Sequence, residues 1–215
     1  MTTVAVRGES VRQVEPELAE FTVVIAARDK DRQTTLGRLR ERGDALRQFL
    51  DRFAEAIERR ETSGVHVHPE NAKRGERVTA YSGSVSTTVI VKDFTALGEM
   101  MLSVADQDQT HIYGPSWSLR PDSPVFREVR KAAIAEAIGR AREYAAALGA
   151  EVAELIELAD PGLSSNGAEG APMFQARDAS LAMRGGAPEL QLDPQRQSVY
   201  AAVEARFTIS SPTVL

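Results

Sequence analysis

Two spacings of apolar residues run through this chain, and between them they predict its elements. In the first, Phe126, Val129, Ala133, Ala137, Ala141, Ala145 and Leu148 recur at three- and four-residue steps and share one face of a helix. Ser123 stands where an N-cap belongs, Pro124 suits the first helical position, and Gly149 suits the left-handed position past the end. Bulky residues at the ends of that face and alanines in its middle let the helix axis lie close to a sheet. In the second, Val199, Ala201, Val203, Ala205, Phe207 and Ile209 alternate with Tyr200, Ala202, Glu204, Arg206 and Thr208. That is the clearest strand in the chain.

The remaining elements follow from the same two rules. Val4 and Val6 predict a short strand ending near Gly8, and Phe21, Val23, Ile25 and Ala27 predict a second strand. A long helix is expected from Thr35 to Arg60, with Leu36, Leu39, Gly43, Leu46, Leu50, Phe53 and Ile57 on one face. This spacing also fits a coiled-coil seam, but Gly43 weakens a seam and Phe49 widens the stripe, so packing on a sheet is preferred. Val65, Val67 and Pro69 predict a short strand. A long strand follows, with Tyr81, Val85, Val89 and Val91 on one face and Ser82, Ser84, Ser86 and Thr88 on the other, where Ile90 is the apolar exception. Asp93 is placed to cap a helix carrying Phe94, Leu97, Met101 and Val104, and strands are expected at Ile112–Leu119 and Val152–Leu158.

Between Asp160 and Pro194, Gly and Pro break any regular element. The terminal strand must pair with a sheet formed earlier, which makes this stretch an insertion. The expected fold is α+β, a mixed, mostly antiparallel sheet covered by two long helices and one shorter helix. A single domain over 1–215, with a mobile loop insertion at 161–194, is the expected organisation.

Composition narrows the function classes. Of 215 residues 42% are hydrophobic, enough for a core, and the net charge of −5 argues against nucleic acid or an anionic membrane as partner. With no cysteine, disulfides, thiolate metal sites and a Cys nucleophile are all excluded. Met1–Arg7 has no basic stretch followed by an apolar run, and no segment approaches the ~18 consecutive apolar residues of a membrane span. These observations give an expectation of a cytoplasmic protein with no membrane insertion.

Several landmarks in order resemble the SIMPL-domain family, the domain of unknown function 541. Val6-Arg7-Gly8-Glu9-Ser10, then Pro16-Glu17-Leu18-Ala19, is similar to that family's first strand and turn, with Ser10 where Gly is usual and Glu17 where Asp is usual. Val65-His66-Val67-His68-Pro69 resembles its short strand ending in proline, and Val89 to Phe94 with Leu97-Gly98 its strand-to-helix junction. Gly114 to Leu119, with Trp117 at the aromatic place, is similar to another of its strands. The helix carrying Ala141-Arg142-Glu143 and Ala147-Leu148-Gly149 is the strongest match. The resemblance implies a SIMPL-like fold, a role in stress protection or protein interaction, and no established catalytic residues. It also implies that many bacterial members are exported.

The chemistry-bearing residues are few. His66 and His68, two apart on a strand, point the same way and are the candidates for Zn²⁺ or Cu²⁺, with His111 the third histidine. No spacing brings His111 to that pair, so a solvated edge is the default and no metal or cofactor is expected. Asp106-Gln107-Asp108 follows a helix end, where polar residues belong in any loop. No nucleophile elbow, Walker loop or dinucleotide fingerprint occurs, so no enzyme is expected. Trp117 reads as core. The uncharged face of Ser82, Ser84, Ser86 and Thr88 is the candidate interaction surface. The first reading is thus a non-catalytic, homo-oligomerising module whose partner is itself. The alternative is a small-ligand or metal-binding protein using His66, His68 and the 161–194 loop.

Overall fold

The computed structural model describes residues 2–72, 78–163 and 192–214. Seven strands and three helices follow one another as β1 (Thr2–Val14), β2 (Leu18–Asp29), α1 (Arg32–Asp51), β3 (Ile57–Asn71), β4 (Val78–Val91), α2 (Leu97–Ala105), β5 (Thr110–Ser118), α3 (Pro124–Ala147), β6 (Val152–Ala159) and β7 (Gln197–Ile209). The order is the one the spacings predict, and the fold is α+β. The strands form two sheets rather than one, and every pairing is antiparallel. Each sheet belongs to its own compact unit. Of the loop expected at 161–194, residues 164–191 lie outside the described residues.

One unit holds the three-stranded sheet β1-β7-β6, with α3 packed on β1 and β7. The Ser123 hydroxyl accepts from the Val125 N–H at the start of α3, and Gly149 takes φ +64° just past its end. Val129, Ala133, Ala137, Ala141 and Ala145 are buried, while Leu148 stays 36% exposed. The stripe therefore buries its middle and leaves its last member in solvent. Its alanines matter because β1 comes very close: a Cβ on Gly8 would stand 2.1 Å from the Ala133 carbonyl oxygen and 2.7 Å from Ala137 Cβ. Gly8 is thus a point of close approach and not a strand end. β1 runs six residues beyond it because β7 pairs with it along its whole length, from Thr2↔Ile209 to Val14↔Gln197.

The other unit holds the four-stranded sheet β3-β4-β2-β5 with α1 and α2. Asp31 caps α1, its carboxylate accepting from the Thr34 N–H at 2.7 Å, and this hydrogen bond lowers its pKa below the ordinary carboxylate range. Of the predicted stripe α1 buries Leu39, Leu46 and Leu50 and leaves Leu36 37% exposed, while Thr35, outside the stripe, is buried. The helix ends at Asp51, nine residues short of the expectation. Past it, Ile57 is buried as the first residue of β3, opposite Val91 on β4. Phe53 and Ile57 continue the helical spacing, but the pairing of the fifteen-residue β3 with β4 outweighs that local preference. Asp93 caps a single 3₁₀ turn at Phe94–Ala96, which leads into α2. Phe21, Val23, Ile25, Leu50, Val89, Val91, Leu97, Met100 and Val104 form the dry core. Trp117 packs against it, edge-on to Phe94 at 4.9 Å.

Candidate interaction face

Pairing register settles which side chains share a face of the four-stranded sheet, because directly opposite residues project to the same side. Gly83, Val85, Thr87, Val89 and Val91 of β4 lie opposite Ala27, Ile25, Val23, Phe21 and Ala19 of β2 and turn toward the helices. Ser82, Ser84, Ser86 and Thr88 turn to the other side, opposite Arg28, Ala26, Val24 and Thr22. All four hydroxyl residues are half-buried, and Ile90, also on this side, is buried. The two central strands thus present an uncharged strip, with Arg28 at one end and Glu20 at the other.

Hydroxyls on this strip are partly satisfied by one another. Thr22 Oγ1 lies 3.4 Å from Thr88 Oγ1, Thr88 donates to Ser63 Oγ at 3.3 Å, and Ser63 donates to the Ser86 carbonyl. At the Arg28 end the Arg28 guanidinium grips Glu70 of β3 with three hydrogen bonds of 2.8–3.1 Å. That grip holds the Glu70 carboxyl below its usual range, with smaller contributions from the Ser82 hydroxyl and from His68. This clamp was not legible in the sequence, because its partners lie 42 residues apart and meet only through the β3-β4-β2 register.

All three histidines project from this same side. His66 and His68 on β3 lie opposite Ser84 and Ser82, and His111 on β5 lies opposite Val24. β4 and β2 separate the pair from His111, so three strand spacings of about 4.8 Å intervene. Among the described residues no group of three His, Asp or Glu side chains is placed to hold a metal ion. Although His66 faces Ser84, its Nε2 lies over its own strand, 3.3 Å from where a Cβ on Gly64 would be. Asp106 is the C-cap of α2, and Asp108 is an exposed residue of the turn into β5.

The helix side of the sheet carries an open cleft of about 270 Å³ between α1 and β3, with Gly43, Leu46, Arg47, Arg60, Thr62 and Thr87 on its walls. It exists because α1 packs on β2 and β4 and leaves the β3 edge uncovered. His66 and His68 face the opposite side, so they are not among its walls.

Among the described residues no helix is long and apolar enough to cross a membrane. The chain is 29% identical over 171 residues to the "26 kDa periplasmic immunogenic protein" of Brucella melitensis, and equally to the protein of that name from Brucella abortus. The match covers 73% of this chain and 66% of each relative, so the chain spans just under two thirds of their length. These relatives overturn the cytoplasmic expectation, since both are periplasmic by name and point to export. Of the amino-terminal residues behind that expectation, Thr2–Arg7 lie in strand β1 and pair with β7. The sequence profile of the SIMPL family, "Protein of unknown function (DUF541)", matches residues 4–207, and the chain belongs to that family.

Proposed function

We propose that this chain is a non-catalytic, exported module that works by associating with copies of itself. One observation carries the reading: the uncharged strip of Ser82, Ser84, Ser86 and Thr88 beside Thr22, Val24 and Ala26. The buried centres of protein interfaces are depleted of charge, and small side chains on a sheet leave a flat face for a second sheet to meet. Supporting the non-catalytic part, the ring of His66 is turned along its own strand over Gly64, and His111 stands three strands away. Export is proposed from the periplasmic relatives.

The test is solution mass. Light scattering at micromolar concentration is expected to give a multiple of the 23.4 kDa chain. A double substitution, Ser84→Arg with Ser86→Arg, is expected to weaken association by placing two charges in the strip. A monomeric wild type would end the reading.

A further inference from the structure

The two sheets have four edges, and three of them are interrupted. β3 carries three register shifts against β4, β6 carries two against β7, and β5 carries one against β2. Such shifts bend an edge away from further pairing. β1 has none: thirteen residues lie in unbroken register with β7, and its outer side is unpaired by any strand among the described residues.

The backbone groups on that free side can be identified. The Glu9 N–H donates outward, to the Glu136 carboxylate of α3 at 3.0 Å, so it does not point at β7. Amides alternate in an antiparallel ladder, so Thr3, Ala5, Arg7, Glu9, Val11 and Gln13 aim theirs at the open edge. A second strand must therefore meet these residues with its own outward-aimed set.

We propose that the occupant is β1 of a second copy, antiparallel and related by a two-fold axis through Gly8. This rests on the self-association proposed above and adds a second contact surface to the strip on β4. In that register Arg7 stands opposite Glu9 of the second copy, and Glu9 opposite its Arg7, so one opposite-charge pair forms twice. Ala5 meets Val11 in the same way, covering a valine that is 63% exposed. Moving the axis one residue either way keeps the amides matched but sets Arg7 against Arg7, or Glu9 against Glu9. Charge therefore selects one register among its neighbours.

Within one chain these charges are incompletely used. Arg7 Nε lies 2.9 Å from Glu9 Oε1 without hydrogen-bonding geometry, and among the described residues this buried N–H has no hydrogen-bond acceptor. Pairing exchanges the intrastrand contact for one across the axis, and exchanges the Glu136 acceptor at Glu9 N–H for the Arg7 carbonyl of the second copy. Glu136 retains its ion pair with Arg140. The product is a continuous six-stranded sheet, β6-β7-β1-β1-β7-β6, made of two copies.

A charge-swap experiment tests this. Arg7→Glu gives a chain with glutamate at both positions, and Glu9→Arg one with arginine at both. Each alone is expected to fall to half the wild-type mass or less, because like charges then face each other. An equimolar mixture is expected to regain the wild-type mass, since each glutamate again meets an arginine. Circular dichroism confirms that each variant is folded. Should Arg7→Glu unfold through loss of its bond to Tyr200, Val11→Pro, which removes one outward N–H and leaves the β7 ladder intact, must halve the mass instead. Folded variants that keep the wild-type mass, or a mixture that does not regain it, overturn the two-fold edge while leaving self-association standing. A monomeric wild type overturns both.

Discussion

Gly8 and Ala137 meet where α3 lies on β1, and the space between them is smaller than a methyl group. Any side chain added there must push α3 away from the sheet. Ala137→Leu is expected to cost about 1–3 kcal/mol through overpacking, read as a lowered denaturant midpoint with an unchanged slope. The alanine face was legible because helical spacing is local. That Gly8 is its counterpart was not legible, since the two are brought together only by packing. Arg28 and Glu70 give a second prediction at this scale. The Glu70 carboxyl is held below its usual range chiefly by hydrogen bonds from Arg28, so in the folded state it resists protonation. Its stabilising contribution is present above the ordinary carboxylate pKa and is lost as pH falls through the lowered folded value. Glu70→Gln should therefore lower the melting temperature at pH 7, and the gap from wild type should close on acidification. A gap that persists to acid pH would mean the clamp acts through shape rather than charge.

At the scale of elements, periodicity located the strands and helices in order but misplaced the chain's course at two places, the end of β1 and the passage from α1 into β3, which begins at Ile57 and not near Val65. β1 continues to Val14 because β7 offers it thirteen partners, and α1 yields at Asp51 because β4 claims Ile57 onward. Both errors have one cause: pairing with a distant strand is invisible to local spacing. The face partition of β4 was legible, since alternation is a local property and only the register was missing. The same register decides the histidines. His66 and His68 remain a two-imidazole edge with His111 on another strand, so calorimetry with Zn²⁺ or Cu²⁺ is expected to show no stoichiometric submicromolar binding. Such binding, if abolished by the His66→Ala/His68→Ala double variant, would instead promote a ligand-binding role.

For the whole molecule, the division into two antiparallel sheets was not legible, because the sequence announces strands but not which strand each one joins. The first and last strands, β1 and β7, are neighbours in one of these sheets, and Arg7 donates to a Tyr200 hydroxyl that is 193 residues away in sequence. That pairing has a consequence for the order of events in making the protein. As the chain emerges, β1 appears first but has no strand to join until nearly everything else has followed, and α3 waits with it for the floor of its unit. The four-stranded sheet with α1 and α2 has all its strands by Ser118. Closing a loop as long as the one between β1 and β7 is slow relative to hairpin formation. Refolding followed by pulsed hydrogen exchange should therefore protect the amides of β2 and β4 before those of β1 and β7. A chain crossing a membrane unfolded would hold a long, unshifted strand without its partner for the whole passage, the interval in which a chaperone has most reason to bind it.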